Sequence, residues 1–315
     1  MALPPAVLHI SSHILSQLSK VTTRPLFVAL QGPQGSGKSF LTDLVRSHLS
    51  APPYSLNVIV LSIDDLYLTH EGLLSLAHQH PDNPLWRGRG QPGTHDVELG
   101  LNVLKSLKEG KKGIELPRFD KSLFNGEGDR LPLDGTGTIV NPPVDVFIME
   151  GWFMGFYPVS SQELQTRWEG IWAQECRLLN LDDAVIGTKD DITAVNEALK
   201  GYVEMWEYFD SFVKVASSPI YGSSFSMIYK WRLEQEHHMK AHNRGKGMTD
   251  EAVKLFVDRY IPGYVFFGDG IFKRHVGLWT EDEDVTNIAA SPRWLGRSLR
   301  IVIDEKREIL NVEKF

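Results

Sequence analysis

Gly32-Pro33-Gln34-Gly35-Ser36-Gly37-Lys38-Ser39 has the spacing G-x-x-x-x-G-K-[ST]. The glycines of such a loop let backbone N–H groups turn inward and cradle phosphate oxygens. In that chemistry Lys38 reaches the β- and γ-phosphates of a nucleotide and the Ser39 hydroxyl holds Mg²⁺. A helix starting at Ser39 and Phe40 would present its positive end to the same anion. Gly32 to Phe40 is therefore the candidate nucleotide-binding set. Ser62-Ile63-Asp64-Asp65-Leu66-Tyr67 follows the apolar run Val58–Leu61. Ligands of an open parallel sheet bind beyond the carboxyl ends of its strands, so an acid there can take the proton of a substrate hydroxyl. Asp64 is read as that acid, while Asp65 suits a helix cap. Glu150 closes another apolar run and is placed to hold Mg²⁺ through water or to orient the base. Ser39, Asp64 and Glu150 form the candidate metal set.

These residues need elements to hold them. Leu26–Leu30, Val58–Leu61, Val144–Met149, Leu299–Ile303 and the weaker Phe212–Val215 are short, nearly continuous apolar runs. Such runs suit strands buried on both faces of a mainly parallel sheet. Helical periodicity lies between them at Ala6–Leu18, Phe40–Leu49, Val97–Leu107, Ala194–Phe209, Ser224–Ala241 and Asp250–Arg259. Alternation of this kind predicts an α/β fold with helices flanking the sheet. Asn83–Thr94 and Phe119–Pro143 read as loops, and 160–191 as an insertion of mixed helix and loop. One domain over 1–315 is expected, with an N-terminal helix in 1–24 and a helical lid in 223–262. Gly245 and Gly247 would hinge that lid, excluding water from the site.

The 315 residues carry 33 Lys+Arg against 40 Asp+Glu, a net charge of −7, which disfavours nucleic acid as a partner. One cysteine, Cys176, excludes a disulfide framework or cysteine metal cluster and suits a reducing compartment. No run approaches the roughly 18 apolar residues of a membrane span, and the start resembles neither a secretory signal nor a transit peptide. The expected location is the cytoplasm, or cytoplasm and nucleus, with no membrane partner.

The motifs in order resemble the D-glycerate 3-kinase family of plants and fungi. They are Gly32–Ser39, Ser62–Tyr67, Thr94-His95-Asp96, Leu116-Pro-Arg118-Phe-Asp120-Lys121-Ser122, Gly126-Glu-Gly-Asp-Arg130 and Glu150-Gly-Trp-Phe-Met-Gly155. Tyr229-Lys-Trp-Arg-Leu-Glu-Gln-Glu236, Gly247-Met-Thr-Asp250 and Phe256-Val-Asp-Arg-Tyr-Ile-Pro262 extend the resemblance into the C-terminal half. Uridine kinase, pantothenate kinase and phosphoribulokinase are more distant cousins. The resemblance implies a P-loop NTPase fold and an ATP- and Mg²⁺-dependent small-molecule kinase. It gives Asp64 as base and Glu150 as the second acidic motif. Arg118, Asp120, Lys121 and Arg130 fall where relatives hold the acceptor, and Asp65, Tyr67, His95 and Asp96 join that acceptor side. D-glycerate is the implied acceptor.

Charge supports a small anionic acceptor independently, since Arg118, Lys121 and Arg130 place three cations in one segment of an acidic protein. Arg232 shares a helical face with Gln235, Glu236 and Lys240. It is read either as an arginine brought to the γ-phosphate or as part of an exposed salt-bridged face. His95-Asp96 also suits a helix cap. His237, His238 and His242 have metal-ligand spacing but no third ligand type, and read as surface histidines. Another hydroxyl acceptor, such as a nucleoside or pantothenate, stays open. From other classes, Thr188-Lys-Asp-Asp191 and Asp134-Gly-Thr-Gly137 echo guanine-nucleotide switch signatures, and an ATP-binding adaptor needs no strand-end base. Oligomeric state is not legible.

Overall fold

The computed structural model describes residues 3–218, 222–242, 247–273 and 292–315. Helix α1 (Pro5–Leu18) buries Val7, Ile10 and Ile14, as its spacing predicts. β1 (Leu26–Gln31) is buried throughout and leads into α2 (Lys38–Ser50). β2 (Val58–Ser62) runs into a 3-10 turn, Ile63–Leu66, whose start is capped by the Ser62 hydroxyl accepting from the Asp64 N–H. Ser62 thus does the capping expected of Asp65. α3 (His70–Gln79) and α4 (Val97–Lys108) start on the side chains of Thr69 and Asp96, which satisfy first-turn donors.

Phe119–Pro143 is not one loop. β3 (Ile114–Leu116), β4 (Phe119–Asp120), β5 (Asp129–Arg130) and β6 (Thr138–Val140) pair antiparallel as β3 with β6 and β4 with β5. These strands are too short to show a period of two. β7 (Val146–Gly151) returns the chain to the main sheet. The 160–191 stretch is mostly helical, with α5 (Ser161–Arg167), a π-turn at Trp168–Trp172, α6 (Ala173–Leu179) and α7 (Asp183–Ile186). The single helix expected over Ala194–Phe209 is two, α8 (Lys189–Lys200) and α9 (Val203–Trp206), separated at Gly201-Tyr202. Then come β8 (Ser211–Ser217), α10 (Ser226–His242), α11 (Asp250–Asp258), α12 (Ile261–Phe267) and α13 (Gly270–Lys273). β9 (Leu299–Ile303) and β10 (Ile309–Lys314) follow. Of the two glycines read as lid hinges, Gly245 lies outside the described residues.

The six-stranded sheet has the order β10-β9-β8-β1-β7-β2. Only the β9–β10 pair is antiparallel. Alternate residues of β1 face two cores. Leu26, Val28 and Leu30 pack with Val7, Ile10 and Val45, while Phe27 and Ala29 join an aromatic-rich core with Phe147, Phe153 and Trp206. Pairing of Leu30 with Glu150, and of Ser62 with Glu150, brings the carboxyl ends of β1, β7 and β2 to one edge. No helix among the described residues is long and apolar enough to cross a membrane.

Candidate active site

The phosphate loop leaves β1 at Gly32, whose N–H donates to the Gly151 carbonyl at 3.4 Å. Gly35 has φ +73° and Gly37 has φ +85°, left-handed values that glycine adopts without strain. Gly35 also faces α10: a Cβ there would stand 2.5 Å from Trp231 Cβ. The loop carries unpaired polar atoms, since Ser36 Oγ and Gln34 Oε1 are buried with no hydrogen-bond partner among the described residues. Lys38 Nζ donates at 3.2 Å to the Pro33 carbonyl. Burial lowers its pKa, although the carboxylates of Glu150 and Asp64 pull it back. A glycine loop at a helix start, with a half-buried lysine held by a backbone carbonyl, fits the phosphates of a nucleotide.

Two carboxylates flank the cradle in different company. Ser39 Oγ donates to Glu150 Oε1 at 2.8 Å, so those two residues meet at one point and can share a divalent cation. Asp64 receives the Tyr67 hydroxyl on Oδ1 at 3.0 Å and the Lys121 ammonium on Oδ2 at 2.5 Å. Burial would raise the Asp64 pKa, but the Lys121 charge and hydrogen bond outweigh it and leave the carboxyl below its usual value. The Lys121 pKa lies above its usual value because Asp64 beside it offsets its own burial.

Asp65 turns the other way. Its Oδ1 accepts the Phe119 N–H at 3.0 Å, pinning β4 beside the β2 turn, and burial raises its pKa despite that bond. Lys121 thereby comes to Asp64. Tyr67 stacks on His95, with ring centroids 4.4 Å apart, and the two form an isolated antiparallel bridge. His95 is buried, with Nδ1 3.0 Å from the Tyr202 hydroxyl and Nε2 unpartnered among the described residues. Burial lowers its pKa to about 3, so the ring is neutral at ordinary pH.

The acceptor-side residues do not all converge. Asp96 caps α4 by accepting the Leu99 N–H at 2.9 Å, and its other oxygen takes Arg130 at 2.7 Å, so these two occupy each other. Asp120 closes a local turn by accepting the N–H and hydroxyl of Ser122. Arg118 donates to no side chain among the described residues. Arg232 is not on an exposed face. Its guanidinium lies 2.8 Å from the fully buried Glu236 and 5.2 Å from the Phe256 ring centroid.

Several residues escaped sequence reasoning. The Tyr264 hydroxyl accepts the Gln34 N–H at 3.2 Å, so α12 touches the phosphate loop. Arg307 donates from Nε to the Gly35 carbonyl at 3.0 Å. Arg89 lies over the Phe119 ring, and Arg259 donates to the Arg89 carbonyl at 3.0 Å. Arg89 had a signal in the Gly- and Arg-rich 83–94 stretch, and Arg259 in the quoted Phe256–Pro262 motif. Arg307 had none. An apolar cavity of about 570 Å³ adjoins Ser36 and Gly37, lined also by Pro5, His9, Phe40 and Ile309.

The switch signatures have structural roles instead. Thr188 and Asp191 form the capping box of α8, and Asp134 closes an exposed turn onto Thr136. His237 pairs with Asp250 at 2.8 Å, and no three-residue metal cluster occurs among the described residues.

A glycine cradle after the first sheet strand, a lysine and hydroxyl at the following helix start, and carboxylates at the two adjacent strand ends define a P-loop kinase. Comparison with known proteins narrows the class. The chain is 40% identical over 250 residues to the "Probable ATP-dependent kinase TDA10" of Saccharomyces cerevisiae, covering 77% of this chain and 78% of the yeast protein. It is 32% identical over 246 residues to the chloroplastic D-glycerate 3-kinase of Arabidopsis thaliana, covering 76% of this chain and 47% of the plant protein. The solved structure of D-glycerate 3-kinase from Cryptococcus neoformans superposes with a TM-score of 0.83 at 35% identity, covering 99% of this chain and 100% of that one. No family model matches the chain. The chain belongs to the D-glycerate 3-kinase family of ATP-dependent P-loop kinases, phosphotransferases that act on an alcohol group of a small molecule.

Proposed function

We propose that this kinase transfers the γ-phosphoryl group of ATP to D-glycerate, giving 3-phospho-D-glycerate and ADP. The observation that carries the reading is the Asp64–Lys121 contact of 2.5 Å beside the phosphate loop, a base and a carboxylate-binding cation at one point. In the proposed reaction Asp64 takes the proton of the acceptor hydroxyl as its oxygen bonds to the γ-phosphorus. The bond from that phosphorus to the ADP oxygen breaks, and ADP leaves with the pair. Lys38 and the loop N–H groups hold the transferring phosphates, and catalysis comes mainly from position and charge. Mg²⁺, held by Ser39 and Glu150, would neutralise charge on the phosphate oxygens. The separate company of Asp64 supports its role as base rather than metal ligand. The cavity next to Gly37 and Phe40 is of a size and polarity to take the nucleoside base.

Lys121 and Arg118 are the cations proposed to receive the acceptor carboxylate, with Tyr67 and His95 shaping the wall. Residues 223–262 are read as a lid, and 160–191 as the insertion that braces it within one kinase domain. Supporting that brace, Lys254 donates to the Asn180 carbonyl and the Ser223 hydroxyl to Glu175. The test is ADP release measured in parallel with D-glycerate, glycerol, uridine and pantothenate. D-glycerate is expected to dominate, since an uncharged acceptor offers Arg118 no counter-ion and gives Lys121 nothing in exchange for Asp64. Preferential turnover of uridine would overturn the glycerate reading.

A further inference from the structure

Helix α10 is fixed to the phosphate loop by its backbone. A Cβ at Gly35 would lie 2.5 Å from Trp231 Cβ and 3.0 Å from the Arg232 nitrogen. Trp231 is fully buried, and its Nε1 donates to the Glu305 carbonyl at 2.9 Å. Arg307 ties the same helix down from outside, contacting Gly35 through Nε and Glu234 through a guanidinium nitrogen at 3.0 Å. The side chain of residue 232 therefore springs from a point that cannot drift relative to the loop.

Its guanidinium is a different matter, because an arginine side chain has several rotatable bonds. Two neighbours restrain it. The Phe256 ring lies 5.2 Å away, and Glu236, one helical turn on, is 2.8 Å away. Glu236 is wholly buried, and its other oxygen accepts the Met248 N–H at 2.7 Å. A side chain at Gly247 would collide with that same oxygen, 2.5 Å from the Cβ position. One carboxylate thus joins the guanidinium to the chain entering α11. A fully buried carboxylate is retained only when paired, and breaking the pair leaves an uncompensated charge.

We propose that Glu236 is a positioning residue for phosphoryl transfer, holding the Arg232 guanidinium in one orientation beside the phosphate loop. The inference rests on the reading of Arg232 as a phosphate-stabilising cation and adds the group that aims it. Preorganised charge is effective because nothing needs to reorient as the transition state forms. Glu236 is fixed through Oε1 by the Met248 N–H, and its Oε2 holds Arg232 as a buried ion pair rather than by an aligned hydrogen bond.

The test is a double-mutant cycle on the full chain with R232A, E236Q and the double variant, reading kcat, both KM values and Tm. R232A is expected to lower kcat by about 10²–10³-fold. E236Q is expected to lower kcat by about 10-fold or more, with the acceptor KM nearly unchanged, since a loosened arginine weakens the transition state rather than ground-state binding. The double variant should be no slower than R232A, because Glu236 has nothing left to aim. Fully additive losses, or wild-type kcat in a folded E236Q, would overturn the inference and leave the proposed function intact. Wild-type kcat in R232A would remove the role of Arg232 and this inference together. Should E236Q fail to fold, E236D keeps the charge on a shorter arm. Its kcat is expected to fall at unchanged acceptor KM, and wild-type kcat in E236D would equally overturn the inference.

Discussion

Replacing Gly35 by alanine separates a backbone effect from a packing effect inside one loop, because Gly37 supplies the control. Both glycines have left-handed φ, +73° and +85°. A side chain in that region costs about 1–2 kcal/mol whatever surrounds it. At Gly37 a Cβ meets nothing within 4 Å, so G37A should lose only that amount. At Gly35 the new methyl would stand 2.5 Å from Trp231 Cβ and 2.7 Å from its carbonyl carbon. One of those atoms is main chain of a helix pinned by Glu305 and Arg307, so the neighbour cannot swing away. Overpacking against such a neighbour adds about 1–3 kcal/mol. G35A should therefore cost about 2–5 kcal/mol in total, a large share of the roughly 5–15 kcal/mol that holds a typical domain folded. Urea denaturation of the two variants side by side measures the difference, expected at about 1–3 kcal/mol with G35A the weaker. Equal destabilisation, or a weaker G37A, would refute the claim that α10 is seated on the loop at this residue.

Two further predictions concern the acids. Asp64→Asn keeps the hydrogen bond from Tyr67 but loses the proton acceptor, so kcat should fall about 10²–10⁴-fold. Asp65→Asn should be mild, because an amide oxygen still accepts the Phe119 N–H, and a steady-state comparison that ranks Asp65 above Asp64 would move the base. Lys121→Met should change the pH profile as well as acceptor binding. Lys121 holds the Asp64 carboxyl below its usual value, so its removal raises that pKa, and the acid-side fall in kcat/KM should move to higher pH. His95, with a pKa of about 3, contributes no limb near neutrality, so an acid limb that stays put in the Lys121 variant would assign it to another group.

The five apolar runs all became strands of the main sheet; β1 and β7, inside it, are buried on both faces and so need nearly uninterrupted apolar residues. β10 escaped because it pairs on one edge only and its half-buried residues, Ile309 and Val312, stand three apart across a register shift instead of two. The phosphate loop and the ends of β2 and β7 were legible for a related reason: a parallel sheet gathers its strand ends, so an acid closing an apolar run is placed by the topology itself. Side-chain partnerships were not legible. Nothing in the spacing of Asp96 and Arg130 says that they neutralise each other, or that Asp65 reaches across to Phe119. Those bonds depend on how a short excursion folds back over β2, and its strands of two and three residues leave no periodicity to read. The contact between Gly35 and Trp231 is likewise set by tertiary packing, and no local pattern in α10 announces it.

The cations around the cleft constrain what the acceptor can be. Arg130 is held by Asp96 at 2.7 Å, and Arg89 donates to the Gly126 carbonyl at 2.8 Å while lying over Phe119. The Arg130–Asp96 pair is mostly withdrawn from solvent, and Arg89 is committed to a backbone carbonyl and a ring face. Lys121 differs in exposure: its side chain is 54% exposed where that of Arg130 is 20% exposed, so it can turn to a new partner. An anionic acceptor that draws Lys121 toward its own carboxylate would at once be bound and raise the proton affinity of Asp64, since the cation holding that carboxyl down has a new counter-ion. A neutral acceptor offers no such exchange and meets a base still neutralised by lysine. Selectivity for an anion and activation of the base are then one event. For that reason the Lys121 variant should lose discrimination between D-glycerate and glycerol even where its residual turnover is measurable. Discrimination kept at the wild-type ratio in that variant would separate the two and place the acceptor's carboxylate on Arg118 alone.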